Sequence, residues 1–152
     1  MTELERVLAL VEIQQLINAY CMAIDNYDFD RMEDLFAEDA TFDIEPDPKI
    51  MQIPVRGRRA IREAAEGRHH FIHSTEQHRH ATCNTVIELL GDGQARAKSL
   101  LLTTLLVRAT GALTMRGTGE YRDRFAIRDG RWKFTERKLV LDLLGQWRPD
   151  GT

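Results

Sequence analysis

The chain has 152 residues, of which 43% are hydrophobic and 30% are charged, and its formal net charge is −3. These values are typical of one soluble globular domain, so we expect residues 1–152 to fold as a single domain around one core. The small negative charge gives no basic surface for nucleic acid or for an anionic membrane. Neither is an expected partner.

The two cysteines and the N-terminal segment indicate a cytoplasmic protein. Cys21 and Cys83 lack the CxxC spacing of a metal site, and a chain of this length does not need a disulfide, so both are expected to be reduced thiols. Three glutamates and an arginine interrupt the apolar residues of the first twenty positions. This pattern differs from a signal peptide and from a membrane span.

The first half of the chain predicts three helices. The first runs from about residue 3 to 24 and ends just before Asp25, because apolar residues recur at spacings of three and four: Leu10, Ile13, Leu16, Ile17, Tyr20 and Ile24. The segment "DNYDFDRMEDLF" predicts a second helix, capped by Asp28 or Asp30. The segment "GRRAIREAAEG" predicts a third, closed by Gly67.

The second half of the chain predicts mainly strands. Two short strands are expected in "ATFDIEP" and "IMQIPVRG", before and after the loop that precedes the third helix. From residue 78 to 144, four strands alternate with the turn segments "GDGQ", "ATGAL" and "RDG", which indicates an antiparallel meander. Helices followed by long strands predict an α+β fold, with the helices packed on one face of a curved sheet.

The strand "SLLLTTLLVRA" is apolar on both of its alternating faces. One face carries Leu100, Leu102 and Leu106, and the other carries Leu101, Leu105 and Val107. A strand with one solvated face would alternate apolar and polar residues. The outer face therefore needs its own cover, and an identical subunit, in a dimer or a trimer, is the expected one.

The segment "HRHATCN", residues 78–84, collects polar groups at the start of a strand. Simple alternation places His80 with His78, Thr82 and Asn84 on one face, and Arg79, Ala81 and Cys83 on the other. A histidine that faces helices needs a partner for one ring nitrogen, and the carboxylate of Asp25 is the natural candidate.

All five histidines fall between residues 69 and 80, which raises the question of a metal site. His69 and His73 have i,i+4 spacing, but the segment lacks the histidine and carboxylate pattern of a known zinc site such as HExxH. We therefore expect no bound metal.

Five segments together resemble the SnoaL-like branch of the nuclear transport factor 2-like superfamily. They are "IQQLINAYCMAID", "DRMEDLFAEDATFD", "GRRAIREAA", "HATCNTVIEL" and "GEYRDRFAIRDGRWKFTERKLVLD", and they cover nearly the whole chain. The resemblance implies a cone-shaped α+β barrel, with three N-terminal helices packed on a curved, mainly antiparallel sheet. It does not specify the chemistry, because this fold supports many unrelated activities.

The resemblance also implies a candidate active site. Scytalone dehydratase and hexachlorocyclohexane dehydrochlorinase, both of this superfamily, use an Asp–His dyad whose aspartate follows the first helix and whose histidine lies four residues before an asparagine. Asp25, His80 and Asn84 match those positions. The implied activity is that of a cofactor-independent lyase or isomerase acting on a small, largely apolar cyclic molecule. The tyrosines that assist scytalone dehydratase have no motif here; Tyr20 and Tyr27 are the candidates.

Each candidate residue also has a structural interpretation. A buried histidine bonded to a carboxylate can serve stability alone, and a strand asparagine such as Asn84 can satisfy a neighbouring backbone group. Tyr20 can belong to the core with its hydroxyl at a pocket edge, and Cys83 can act as a small hydrophobic residue. The alternative function is a non-catalytic domain of the same fold that binds a small ligand or mediates assembly.

Overall fold

The computed structural model of the protein describes residues 1–49, 52–69 and 74–142. Its three helices are α1 (Glu3–Asp25), α2 (Phe29–Asp34) and α3 (Arg58–His69). Its six strands are β1 (Phe36–Glu45), β2 (Val55–Arg56), β3 (Glu76–Gly91), β4 (Gln94–Val107), β5 (Ala112–Arg128) and β6 (Arg131–Leu141).

The strands form one curved, open sheet in the order β2-β1-β6-β5-β4-β3. The pair β1 and β6 is parallel, and all other neighbours are antiparallel. Strands β3 to β6 form the predicted meander, because two-residue turns reverse the chain after β3 and β5. The predicted α+β class, three helices packed on a mainly antiparallel sheet, is confirmed.

Helix α1 positions the candidate site because it packs along the inner face of the sheet and ends at β3. A capping box starts it: the Thr2 hydroxyl accepts from the backbone N–H of Glu5, and the Glu5 carboxylate accepts from the backbone N–H of Thr2. Ile13 and Ile17 are completely buried against the sheet. The helix ends at Asp25, one residue later than predicted.

The outer face of α1 is also apolar, since Leu4, Val7 and Leu8 are all about half exposed or more. The length and composition of α1 would suit a membrane span, a test that core helices of soluble proteins also pass. Its inner face is packed on the sheet as a core helix would be. The segment is therefore weak evidence for a membrane location.

Three predicted boundaries were wrong. The sequence pattern places Phe36 at the end of the second helix, but Phe36 begins β1, where it pairs with Phe134 and the two ring centres lie 5.2 Å apart. Helix α3 continues through Gly67 to His69, because Gly67 does not adopt the positive φ with which a glycine ends a helix. Of the predicted strand 50–57, only Val55–Arg56 is strand, and residues 50 and 51 lie outside the described ranges.

Strand β4 has the two apolar faces that its sequence predicts. Leu101 and Leu105 are buried in the core, whereas Leu100 and Leu102 are 44% and 39% exposed on the outer face. Cys83 pairs with Leu100 across the sheet and is exposed beside it. That a second copy of the chain covers this outer face stays a prediction.

Candidate functional site

Asp25 and His80 meet where the end of α1 packs against β3. One carboxylate oxygen of Asp25 lies 2.6 Å from Nδ1 of the His80 ring, and the other accepts a hydrogen bond from the His80 backbone N–H at 3.0 Å. The Asp25 side chain is 6% exposed and the His80 side chain 13%. The two contacts fix both the position and the rotation of the imidazole relative to the carboxylate.

Gln77 makes a second connection between the end of α1 and β3. Its side-chain amide nitrogen donates to the backbone carbonyl oxygens of Asp25, at 2.8 Å, and of His78, at 2.9 Å. Carbonyls in the last turn of a helix lack partners within the helix, so this bond satisfies one of them. The side-chain oxygen of Gln77 accepts from Arg108 at 2.8 Å. No spacing in the sequence predicts this contact, because Gln77 and Asp25 are 52 residues apart.

The carboxylate determines which tautomer a neutral His80 ring adopts. Because Asp25 lies beside Nδ1, the proton is on Nδ1 and the lone pair is on Nε2. Within the ranges 1–49, 52–69 and 74–142, no hydrogen bond occupies Nε2. An imidazole oriented in this way can accept a proton at Nε2, while the carboxylate stabilises the imidazolium that results.

The other inward residues at the start of β3 lie on the same face as His80. The Thr82 hydroxyl is 3.9 Å from the Cys21 sulfur on α1. His78 has its own carboxylate partner, with Nε2 3.2 Å from an oxygen of Glu76. Burial lowers the pKa of His78, and the hydrogen bond that His78 donates to Glu76 opposes that shift. His78 is thus next to the Asp25–His80 pair but is paired separately.

Asn84 does not continue this inward face, so the predicted alternation was wrong beyond Cys83. A β-bulge lies between Cys83 and Val86, where the backbone of Asn84 has a φ of 51° and its side chain is exposed. Asparagine tolerates this left-handed conformation better than most residues. Thr85 takes an inward position instead, with its hydroxyl 3.0 Å from that of buried Ser99.

The two candidate tyrosines occupy different environments. Tyr20 is 6% exposed in the aromatic core, and burial raises its pKa to about 12. Tyr27, which has a φ of 59° just after α1, is half-buried and its hydroxyl donates to the backbone carbonyl of Glu76 at 3.4 Å. Its ring lies edge-on to that of His69, with centroids 6.0 Å apart.

A small cavity lies between the end of α1 and α3. Its walls come from all three helices and from β1 and β2, and they are apolar apart from Tyr20, Arg68 and His69. Its volume of about 30 Å³ is enough for one or two water-sized groups. Ile24, the residue before Asp25, also lines it, so the cavity reaches the end of α1.

His69 is a polar residue of this region that is not among the site residues expected from the sequence. It is the last residue of α3, is 5% exposed, and its Nδ1 has no hydrogen-bond partner among the described residues. Burial, together with the charge of Arg68, lowers the pKa of His69 to about 4. The spacing of Ile61, Ala65 and His69 by four residues places His69 on the inner face of α3, a signal that could have identified it.

A buried ion pair, Asp123 with Arg137, lies in the core behind Tyr20. Both side chains are fully buried, and a guanidinium nitrogen lies 3.3 Å from a carboxylate oxygen, although without hydrogen-bond geometry. The guanidinium carbon is 3.6 Å from the Tyr121 ring centre and 4.0 Å from that of Tyr20. Burial raises the pKa of Asp123 to about 7, and Arg137 opposes that shift.

The histidine-rich segment forms no metal cluster in the part of the chain that the structure describes. There, no three His, Cys, Asp or Glu side chains are grouped so that they could hold a metal ion. His70 and His73, two of the five histidines, lie outside the described ranges. The absence of a bound metal stays a prediction.

Comparison with known proteins identifies the family. A model of the SnoaL-like domain matches residues 5–138 of the chain. None of the curated proteins is significantly similar to it.

Several solved structures share the fold. A variant of Rv3472 from Mycobacterium tuberculosis, described as a protein of unknown function, has 29% identity and a TM-score of 0.77, over 93% of this chain and 76% of that one. A protein of Novosphingobium aromaticivorans, provisionally described as a scytalone dehydratase, has 21% identity and a TM-score of 0.76, covering 94% and 90%. ActVI-ORFA of Streptomyces coelicolor has 21% identity and a TM-score of 0.77, covering 88% and 97%.

Proposed function

The chain belongs to the SnoaL-like domain family, and within it we propose a cofactor-independent lyase of the dehydratase type, or an isomerase, that uses Asp25 and His80 for proton transfer. One observation carries the proposal: the Asp25 carboxylate lies 2.6 Å from Nδ1 of His80 and leaves Nε2 as the basic nitrogen. The pair needs no cofactor for this chemistry, because imidazole can itself take a proton from an activated carbon.

In the first step, Nε2 of His80 removes a proton from a carbon next to an electron-withdrawing group. The electron pair of the broken C–H bond moves into the substrate, and His80 becomes an imidazolium whose charge Asp25 stabilises. Because Asp25 already accepts two hydrogen bonds from His80, no reorientation is required when the charge forms.

The second step distinguishes the two reaction types. In a dehydratase, the electron pair forms a carbon–carbon double bond while a hydroxyl group leaves the adjacent carbon, and the proton on His80 completes the water that is released. In an isomerase, His80 returns the proton to a different carbon. Both outcomes regenerate neutral His80, so the pair alone is compatible with either.

The proposed substrate is a small, largely apolar cyclic molecule such as a polyketide-like, steroid-like or terpenoid-like compound. The side chains between α1 and α3 are mostly aliphatic or aromatic, which supports an apolar substrate beside them. The cavity that they enclose, of about 30 Å³, can take one substituent of that substrate and not its ring. The fold is shared with a protein provisionally described as a scytalone dehydratase. Tyr20, Tyr27 and His78 are proposed to contact this substrate. Asn84 is not, because its side chain is exposed in the bulge.

The proposal is tested by incubating the protein in D₂O with 2-tetralone and with cyclic β-hydroxyketones, following the reactions by NMR. Deuterium at the α-carbon of 2-tetralone, without elimination from the β-hydroxyketones, would favour an isomerase. Release of water from the β-hydroxyketones would favour a lyase. Asp25→Asn should abolish either activity. Asp92→Asn, in the exposed turn after β3, is the matched control and should behave as the wild type. Activity that survives Asp25→Asn would contradict the proposal.

The alternative of a non-catalytic binding or assembly domain predicts a different result. A purely structural Asp25–His80 pair would give no exchange with any of these compounds, even in a wild-type protein that binds them, and Asp25→Asn and His80→Ala would change stability alone. We also propose a cytoplasmic location, on the basis of the two reduced cysteines, one buried and one exposed.

A further inference from the structure

His69 combines three properties that the Asp25–His80 chemistry does not explain. It is 5% exposed, it lines the cavity beside α1, and its Nδ1 is buried with no hydrogen-bond partner among the described residues. Buried polar atoms are nearly always hydrogen-bonded, because an unpaired one loses its bond to water without replacement. A group that enters the cavity could supply the partner.

Aromatic rings packed around His69 restrict the position of its ring. The rings of His78, Tyr27 and Phe29 pack around it, with centroids 5.9, 6.0 and 6.3 Å away. His78 is two residues before His80 on the same face of β3, so His69 lies one side chain away from the proposed base. A molecule that reached both His80 and the cavity would extend past His78.

The charge state of His69 restricts what it can bind. Its pKa is lowered to about 4, chiefly by burial and then by Arg68, so the ring is neutral near pH 7. A neutral imidazole has one N–H donor and one acceptor nitrogen, and it attracts an anion less than an imidazolium would. The matching ligand group is a neutral oxygen.

We propose that His69 is the residue that hydrogen-bonds a carbonyl or hydroxyl oxygen of the substrate, with the cavity beside it receiving that oxygen. The volume of about 30 Å³ suits a single oxygen-bearing group and not a whole ring. The proposal rests on the proposed function and narrows its substrate class: cyclic molecules with an oxygen substituent close to the acidic C–H. When His80 removes a proton next to a carbonyl group, the electron pair of the C–H bond moves onto the carbonyl oxygen as an enolate, and the N–H of neutral His69 stabilises that charge.

The test uses 2-tetralone as the probe and measures the infrared stretching band of its carbonyl when bound to the protein. A hydrogen bond to the carbonyl lowers this frequency, which a merely structural histidine would not do. We expect the lowered frequency in the wild type, its loss in His69→Phe, and its partial recovery in His69→Gln, which restores an N–H donor. His69→Phe keeps an aromatic ring against Tyr27, Phe29 and His78, and its folding is checked by circular dichroism.

The His80→Ala variant separates this proposal from the proposed function. If both are correct, His80→Ala keeps the lowered carbonyl frequency but loses α-proton exchange. A lowered frequency that depends on His69, in a protein that never exchanges the proton, would contradict only the catalytic role of His80. A frequency that is unchanged in His69→Phe, or a wild-type protein that does not bind 2-tetralone, would overturn the role proposed for His69.

Discussion

The Asp25 carboxylate contacts His80 at two points, the ring nitrogen Nδ1 at 2.6 Å and the backbone N–H at 3.0 Å. The backbone contact ties the carboxylate to β3 independently of the ring, so replacement of the imidazole leaves Asp25 with one hydrogen bond. This geometry separates the structural contribution of the pair from its proposed chemistry, because the two partners should respond differently to mutation.

We predict that Asp25→Ala destabilises the protein more than His80→Ala does. Removal of Asp25 deletes both hydrogen bonds and leaves the His80 backbone N–H unpaired, whereas removal of the imidazole deletes only one. A hydrogen bond to a charged group contributes about 1.5–3 kcal/mol, so the melting temperature should fall by several degrees in Asp25→Ala. Thermal denaturation followed by circular dichroism measures this. Equal decreases in melting temperature for Asp25→Ala and His80→Ala would contradict a separate contribution from the hydrogen bond between Asp25 and the His80 backbone.

Asp123 should make the protein less stable as the pH rises from about 4 to 7. Its pKa in the folded protein is raised to about 7, chiefly by burial, from an ordinary value of 3.8. Between these values the folded state binds more protons than the unfolded state, so the stabilisation present below pH 4 is lost as the pH rises through 7. In Asp123→Asn this component should disappear, as urea unfolding at several pH values would reveal. A variant with an unchanged pH dependence would contradict the raised pKa.

His69 should contribute the opposite pH dependence. Its pKa is lowered to about 4 in the folded protein from 6.5, chiefly by burial. Between these values the unfolded state binds more protons, so stability present above pH 6.5 is lost as the pH falls towards 4. His69→Phe should therefore lose less stability than the wild type between pH 7 and pH 5. The same urea titrations provide the measurement, with Asp92→Asn as the control that follows the wild type.

Neighbouring leucines on β4 should respond differently to substitution. Leu100 is 44% exposed on the outer face and Leu101 is 2% exposed in the core. If a second copy covers the outer face, Leu100→Lys should shift the protein to a monomer with little change in the fold. Leu101→Ala should instead cost about 2–5 kcal/mol of unfolding free energy through the cavity it leaves. Sedimentation velocity measures the oligomeric state of the wild type and of Leu100→Lys. A monomeric wild type would contradict the prediction that a second copy covers the outer face.

The features that follow simple periodicity could be predicted from the sequence. Three- and four-residue spacing located α1 and hence Asp25, and alternation correctly separated Leu100 from Leu101. Alternation also placed His80 on the inner face of β3, where its contact with Asp25 is now observed. These features follow from the regular spacing of side chains along a helix or a strand, which is visible in the sequence.

The features that depend on one extra residue or on packing from distant segments could not be predicted. The bulge at Asn84 shifts the pairing of the following β3 residues with β4 by one position, and no repeating sequence pattern predicts it. Asp123 and Arg137 look like solvated strand charges until the sheet brings them together under Tyr20. The sequence does not distinguish His69 from the four other histidines near it, because its burial depends on how α3 packs.

The most direct test of the central claim is the rate at which His80→Ala exchanges the α-proton of 2-tetralone in D₂O, compared with the wild type. A positioned general base contributes a factor of about 10²–10⁴ to the rate, so we predict that His80→Ala slows the exchange by that factor. Binding of 2-tetralone, measured in parallel, should stay nearly unchanged, because the base acts mainly in the transition state. Exchange at the wild-type rate in a folded His80→Ala variant would contradict the assignment of His80 as the base.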